Sequence, residues 1–85
     1  MTQQDIIDEL RSYEPPEVMY VEYQPQPEEV YVDWWMPEDY SQWDLEDILD
    51  EFADRFNLPR ISTPEIRRST TPGVVVFVFT VLLPY

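Results

Sequence analysis

Residues 74–83 read Val74-Val75-Val76-Phe77-Val78-Phe79-Thr80-Val81-Leu82-Leu83, ten positions with a single polar member. An unbroken run of β-branched and aromatic side chains favours a strand over a helix. A strand with one wet face alternates apolar and polar residues, and this run does not alternate. It fits a central strand covered on both sides, or a strand whose second face meets a partner. It is too short for a membrane-crossing helix, which needs about 20 residues. Just upstream, Thr71-Pro72-Gly73 supplies turn chemistry, so residues 65–70 and 74–83 are expected to pair as a hairpin.

Working outward, Leu45, Ile48, Leu49, Phe52 and Phe56 recur at i, i+3, i+4, i+7 and i+11, the stripe of an amphipathic helix. Ser41 is its expected N-cap, with Asp44 three residues on, and Asn57 with Pro59 ends it. A shorter helix is expected over residues 3–13. Thr2 and Asp5 open it, Ile6, Ile7, Leu10 and Tyr13 form its stripe, and Pro15-Pro16 stop it. Between the helices, residues 18–23 and 30–36 alternate. Val30, Val32, Trp34 and Met36 share one face of the second stretch, while Tyr31, Asp33 and Trp35 look away. The proline-bearing residues 24–29 read as the connecting loop.

The order is therefore α-β-β-α-β-β. The expectation is an α+β fold, one small domain over residues 1–85, with two helices packed on a mainly antiparallel four-stranded sheet. The expected core is Ile6, Ile7, Leu10, Val21, Val32, Trp34, Leu45, Ile48, Leu49, Phe52, Phe56, Val76 and Val78, and Trp43 is also expected to pack inside.

Composition excludes several kinds of chemistry. The chain has no cysteine and no histidine, so disulfides, structural zinc sites and Ser-His-Asp or Cys-His catalysis are out. All five bases are arginine, which removes lysine Schiff-base chemistry. The lone glycine, Gly73, leaves no phosphate-cradling loop. A formal net charge of −13 opposes direct nucleic-acid binding, because neutralising phosphates takes Lys and Arg in number. At 44% hydrophobic, the chain still has material for a core. Its polar, acidic start does not read as a secretory leader, so a cytoplasmic protein is expected.

The charge is unevenly placed. Residues 1–54 carry −16, and residues 55–85 carry +3 through Arg55, Arg60, Arg67, Arg68 and Glu65. The sharpest concentration is on the second helix, where Asp44, Glu46, Asp47, Asp50, Glu51 and Asp54 span ten residue steps. At 1.5 Å per residue that is roughly 15 Å, one charge per ~2.5 Å. Duplex DNA carries one per ~1.7 Å and a single strand one per ~3.4 Å. Pairs 46/50, 47/51 and 50/54 are like charges at i,i+4, which weaken a helix by a few tenths of a kcal/mol each. Arg55 is placed to relieve Glu51.

Two readings of this row compete: a solvated or salt-adapted face, and an acidic binding face. The binding reading adds Tyr31 and Trp35, aromatic residues set among acids, as contacts able to take arginines. It gives a non-catalytic protein, without cofactor or metal, that engages a basic, nucleic-acid-binding surface of a partner protein. An inhibitor mimicking nucleic acid, as small viral counter-defence proteins do, is its concrete form. The alternative is a small structural subunit or adaptor associating through the apolar C-terminal strand, with Val75, Phe77, Phe79 and Val81 as contacts. The basic residues Arg60, Arg67 and Arg68 suggest pairing with the acidic region, within one chain or head-to-tail in a homodimer.

Overall fold

The computed structural model describes residues 1–59 and 61–84. Two helices and four strands follow the expected order: α1 (Gln3–Arg11), β1 (Tyr20–Gln26), β2 (Glu29–Pro37), α2 (Gln42–Phe56), β3 (Glu65–Arg68) and β4 (Val74–Leu82). The sheet is antiparallel throughout, in the order β1-β2-β4-β3.

The C-terminal run is central, between β2 and β3, but only one of its faces is covered by helices. Trp34 pairs with Phe77, Val32 with Phe79 and Val30 with Val81. These six residues join Ile6 and Leu10 of α1 and Leu45, Leu49 and Phe52 of α2 in one buried cluster. Trp34 and Phe79 meet edge to face, with ring centroids 5.2 Å apart. Val21, Ile48, Phe56 and Val75 pack against this cluster while keeping some exposure.

Side-chain parity in the last strand refines one expectation, since Val76 is buried as expected but on the other face, and corrects those for Val78 and for the strand's partner contacts. Val76 and Val78 point to the face opposite the helices, so they lie outside the helix-packed core. Val76 is nonetheless only 7% exposed, because side chains on the flanking strands cover it. Conversely, Phe77, Phe79 and Val81 are fully engaged in the core and offer nothing to a partner. Nor has β4 a free edge for strand addition. β3 pairs with residues 75–78, Ile61 bridges Val81, and Ser62 N–H donates to Thr80 O at 3.0 Å.

The local signals at the helix ends are largely realised. Thr2 and Asp5 form a capping box: Asp5 N–H donates to Thr2 Oγ1 at 3.2 Å, and Thr2 N–H to Asp5 Oδ2 at 2.9 Å. Accepting that backbone bond lowers the Asp5 pKa. Ser41 caps α2 by backbone conformation alone, without a side-chain bond. Asn57 ends α2 in the left-handed region at φ 52°, and Leu58 N–H reaches back to Ala53 O at 3.0 Å.

The first hairpin is tighter than expected. β1 runs on through Pro25 to Gln26, which pairs with Glu29 across a two-residue turn of Pro27 and Glu28. Because β1 is an edge strand, Pro25 can turn its nitrogen away from the ladder. Glu28 adopts φ 64°, the left-handed turn position.

Candidate functional site

The acidic row on α2 follows from helix geometry. Leu45, Leu49 and Phe52 turn one side of the helix into the core, which leaves the other side to Asp44, Asp47, Asp50, Glu51 and Asp54, all exposed, and to half-buried Glu46. Arg55 does not pair with Glu51 here. It donates instead to the Tyr13 hydroxyl at 3.2 Å. Among the described residues, the ion pair within 4 Å is Arg67–Glu65 at 2.9 Å, on exposed β3. Arg55 thus relieves the row only through its charge near Glu51, and the remaining repulsion is left to solvent screening.

Trp43 overturns the expectation that it packs inside, being 78% exposed. It stands three and four residues before Glu46 and Asp47, and seven before Asp50, so it shares their side of the helix. With Glu46, Asp47 and Asp50 it lines a shallow hollow whose far wall is Ser62-Thr63-Pro64. An exposed indole among carboxylates is suited to an arginine, through its ring face and its charge together.

A second groove, of about 710 Å³, lies where the segment after α1 passes the start of α2. Glu14 and Glu17 from that segment, Asp39 from the β2–α2 connection, and Asp44 and Asp47 from α2 converge there. Its walls also include Tyr13, Tyr40 and Ile48, and among the described residues no arginine lines it. Burial raises the Tyr40 pKa, and the charges of Glu17 and Asp44 add to the effect, so the phenol keeps its proton. Glu14 is held from beneath. The Tyr23 hydroxyl donates to Glu14 Oε2 at 2.6 Å and accepts from the indole N–H of buried Trp34 at 3.1 Å. Arg11 lies over the Tyr23 ring, 5.0 Å from its centroid.

Glu14, Glu17 and Asp39 were not legible as site residues, since only folding brings them beside α2. Among the described residues, no three acids are close enough together to hold a metal ion. The carboxylates are spread as a surface.

Tyr31 and Trp35 do not belong to this surface. Their parity on β2 puts them on the face of the sheet away from both helices. Arg67 is on that face as well, paired with Glu65, while Arg68 alternates to the other side. The expected basic patch therefore does not form between them, and Arg60 lies outside the described residues.

No helix is long and apolar enough to cross a membrane among the described residues. No protein-family model, curated protein or solved structure matches the chain.

Proposed function

We propose that this chain is a non-catalytic acidic binding protein whose α2 face occupies a basic, nucleic-acid-binding surface of a partner protein, as a nucleic-acid mimic does. One observation carries the reading. Asp44 and Asp47 of the α2 row continue into Glu14, Glu17 and Asp39 around a groove that no described arginine lines, and exposed Trp43 stands beside Glu46, Asp47 and Asp50. A sequence shaped for helix stability alone would have mixed in lysine at i,i+4. Here the row keeps its like-charge pairs, at near-phosphate spacing.

In this mechanism the carboxylates take the arginines and lysines that would otherwise hold phosphates. Long-range attraction speeds encounter and fades with salt. Inhibition of a DNA- or RNA-handling enzyme, in the style of a viral counter-defence protein, is the corresponding role.

The test is capture of partners on the immobilised chain with elution in salt steps, followed by competition with labelled DNA for the captured protein. The expected result is a basic nucleic-acid-binding protein that releases its DNA to the chain. Asp47→Lys with Asp50→Lys abolishes the capture. Undiminished binding by that variant, with unchanged salt dependence, refutes the proposal.

A further inference from the structure

The sheet face turned away from the helices carries its own pattern. In register across β1 and β2, Tyr20 pairs with Trp35, Glu22 with Asp33, and Gln24 with Tyr31. Tyr20 and Trp35 meet edge to face at 5.0 Å. Tyr20 is 57% exposed and Tyr31 42%. Val76 and Val78 continue the face on β4, beside Trp35 and Asp33. No element of the described chain packs over it.

At its centre is a conflict. Glu22 and Asp33 are directly opposed like charges, an arrangement that weakens a sheet. Asp33 is half-buried and has no hydrogen-bond or ion-pair partner among the described residues. Burial, then the charge of Glu22, raises its pKa, and the more distant Arg67 opposes them only partly. A cation between the two carboxylates would remove the conflict. Trp35 and Tyr31 stand two residues to either side of Asp33, each about 7 Å away along the strand. A hollow of about 740 Å³ lies on the Tyr31 side of Asp33, bordered by Thr63, Glu65, Arg67 and Thr80.

We propose that this face is a second docking surface, which takes an arginine side chain of a protein partner on the Glu22–Asp33 pair between flanking Trp35 and Tyr31. The net charge on the face, Glu22, Asp33 and Glu65 against Arg67, which is already paired with Glu65, selects the occupant. A nucleic-acid strand could stack on the rings, but its phosphates would meet Glu22, Asp33 and Glu65. A second copy of this chain would set the same acids against one another. Arginine is favoured over lysine because its planar fork bonds a carboxylate with two N–H groups and lies flat on an aromatic ring, while an ammonium ion does neither. This surface and the α2 groove are on opposite sides of the sheet, so the proposal stands whether or not the groove binds.

The three tryptophans make the two surfaces separable. Trp35 reports the sheet face, Trp43 the α2 face, and buried Trp34 the core. The 15N-labelled chain is titrated with hexa-arginine and with hexa-lysine at physiological ionic strength, where screening acts over about 8 Å. The indole N–H signals are followed.

The expected result is that hexa-arginine moves the Trp35 signal and leaves Trp34 in place. Hexa-lysine needs about tenfold more peptide for the same Trp35 shift, because the two-pronged carboxylate contact is missing. Asp33→Asn weakens the Trp35 response about tenfold, spares that of Trp43, and melts no lower than the native chain, which shows that the fold survives. Tyr31→Ala, which keeps both carboxylates, narrows the preference for arginine. A Trp35 signal that stays still while Trp43 moves overturns the proposal and leaves the groove reading intact. Equal response to both peptides, or an unchanged response in Asp33→Asn, also overturns it. So does a Trp35 shift that grows with protein concentration in the absence of peptide, which would identify a second copy as the occupant.

Discussion

Tyr23→Phe removes one oxygen from a series of contacts that runs from the core to the acidic groove. Trp34 is fully buried, and the Tyr23 hydroxyl accepts its indole N–H at 3.1 Å. That hydroxyl also donates to Glu14 at 2.6 Å. Phenylalanine keeps the ring volume and the ring beneath Arg11, so no cavity opens. The loss is polar. A buried N–H without an acceptor costs about 1–3 kcal/mol. The Glu14 carboxylate is half-buried and regains water in place of its lost partner. The expected destabilisation is about 2 kcal/mol. At roughly 4–8 °C per kcal/mol for a domain of this size, Tm falls by roughly 8–16 °C.

Urea unfolding followed by tryptophan fluorescence measures the change. Glu14→Gln, which preserves an acceptor for the phenol, loses less. The pH dependence supplies a second signature. Burial, then the bond to Glu14, raises the Tyr23 pKa above its ordinary value of 10.0. The folded state therefore holds the phenol's proton more tightly than the unfolded state does. That contribution is complete below pH 10 and declines as pH rises past it. The native chain should lose its advantage over Tyr23→Phe in this alkaline range. A destabilisation below about 0.5 kcal/mol, with an unchanged denaturant slope, would show that the indole N–H does not depend on Tyr23.

Four further outcomes are expected. Phe77→Ala opens a cavity in the core at a cost of about 3–5 kcal/mol, comparable to the whole stability of a domain this small, so circular dichroism should show a largely unfolded chain at 25 °C. Gly73→Ala costs about 1–2 kcal/mol by thermal denaturation, entirely through backbone strain, since Gly73 has φ 79° and a Cβ there would touch nothing within 4 Å. Asp47→Lys with Asp50→Lys leaves Tm unchanged or slightly raised, because it replaces repulsive i,i+4 pairs with attractive ones worth a few tenths of a kcal/mol each; a fall of several degrees would mean that the row supports the fold. The folded pKa of Asp33 is raised, so its destabilising effect is complete above that pKa and disappears as pH falls through it toward the ordinary 3.8. The excess stability of Asp33→Asn over the native chain should shrink across that acid range in paired melts.

The element order could be read from sequence because periodicity and caps act locally. Leu45, Leu49 and Phe52 announce a helix whatever they pack on, and Thr2 with Asp5 announces its start. Parity in β4 could not be read, because an apolar run carries no alternation; the pairing of Phe77 with Trp34 decides it. Trp43 could have been placed correctly, since its spacing from Glu46, Asp47 and Asp50 sets it on the acidic side. Against that signal stands the general tendency of a large aromatic residue to pack inside a small domain. The row on α2 was legible as a face. Its extension through Glu14, Glu17 and Asp39 depends on how two distant segments pass one another, and nothing in their spacing encodes that. The separation of Tyr31 and Trp35 from the row has a similar cause, since it follows from both helices lying on one face of the sheet.

The strand order β1-β2-β4-β3 also governs how the chain can assemble. Each hairpin closes locally, as half of an α-β-β and α-β-β pair. The halves join along one seam of nine residue pairs, from Glu29↔Leu82 to Pro37↔Val74. Partners across it are 37 to 53 positions apart, so forming the seam requires closure of a long loop and is expected to set the folding rate. Lengthening residues 57–64 should slow folding only slightly, because loop entropy grows logarithmically. At high concentration the same seam can close between two chains, each giving its second half to the other. Domain swapping at β2 and β4 is therefore the route to misassembly that this topology leaves open.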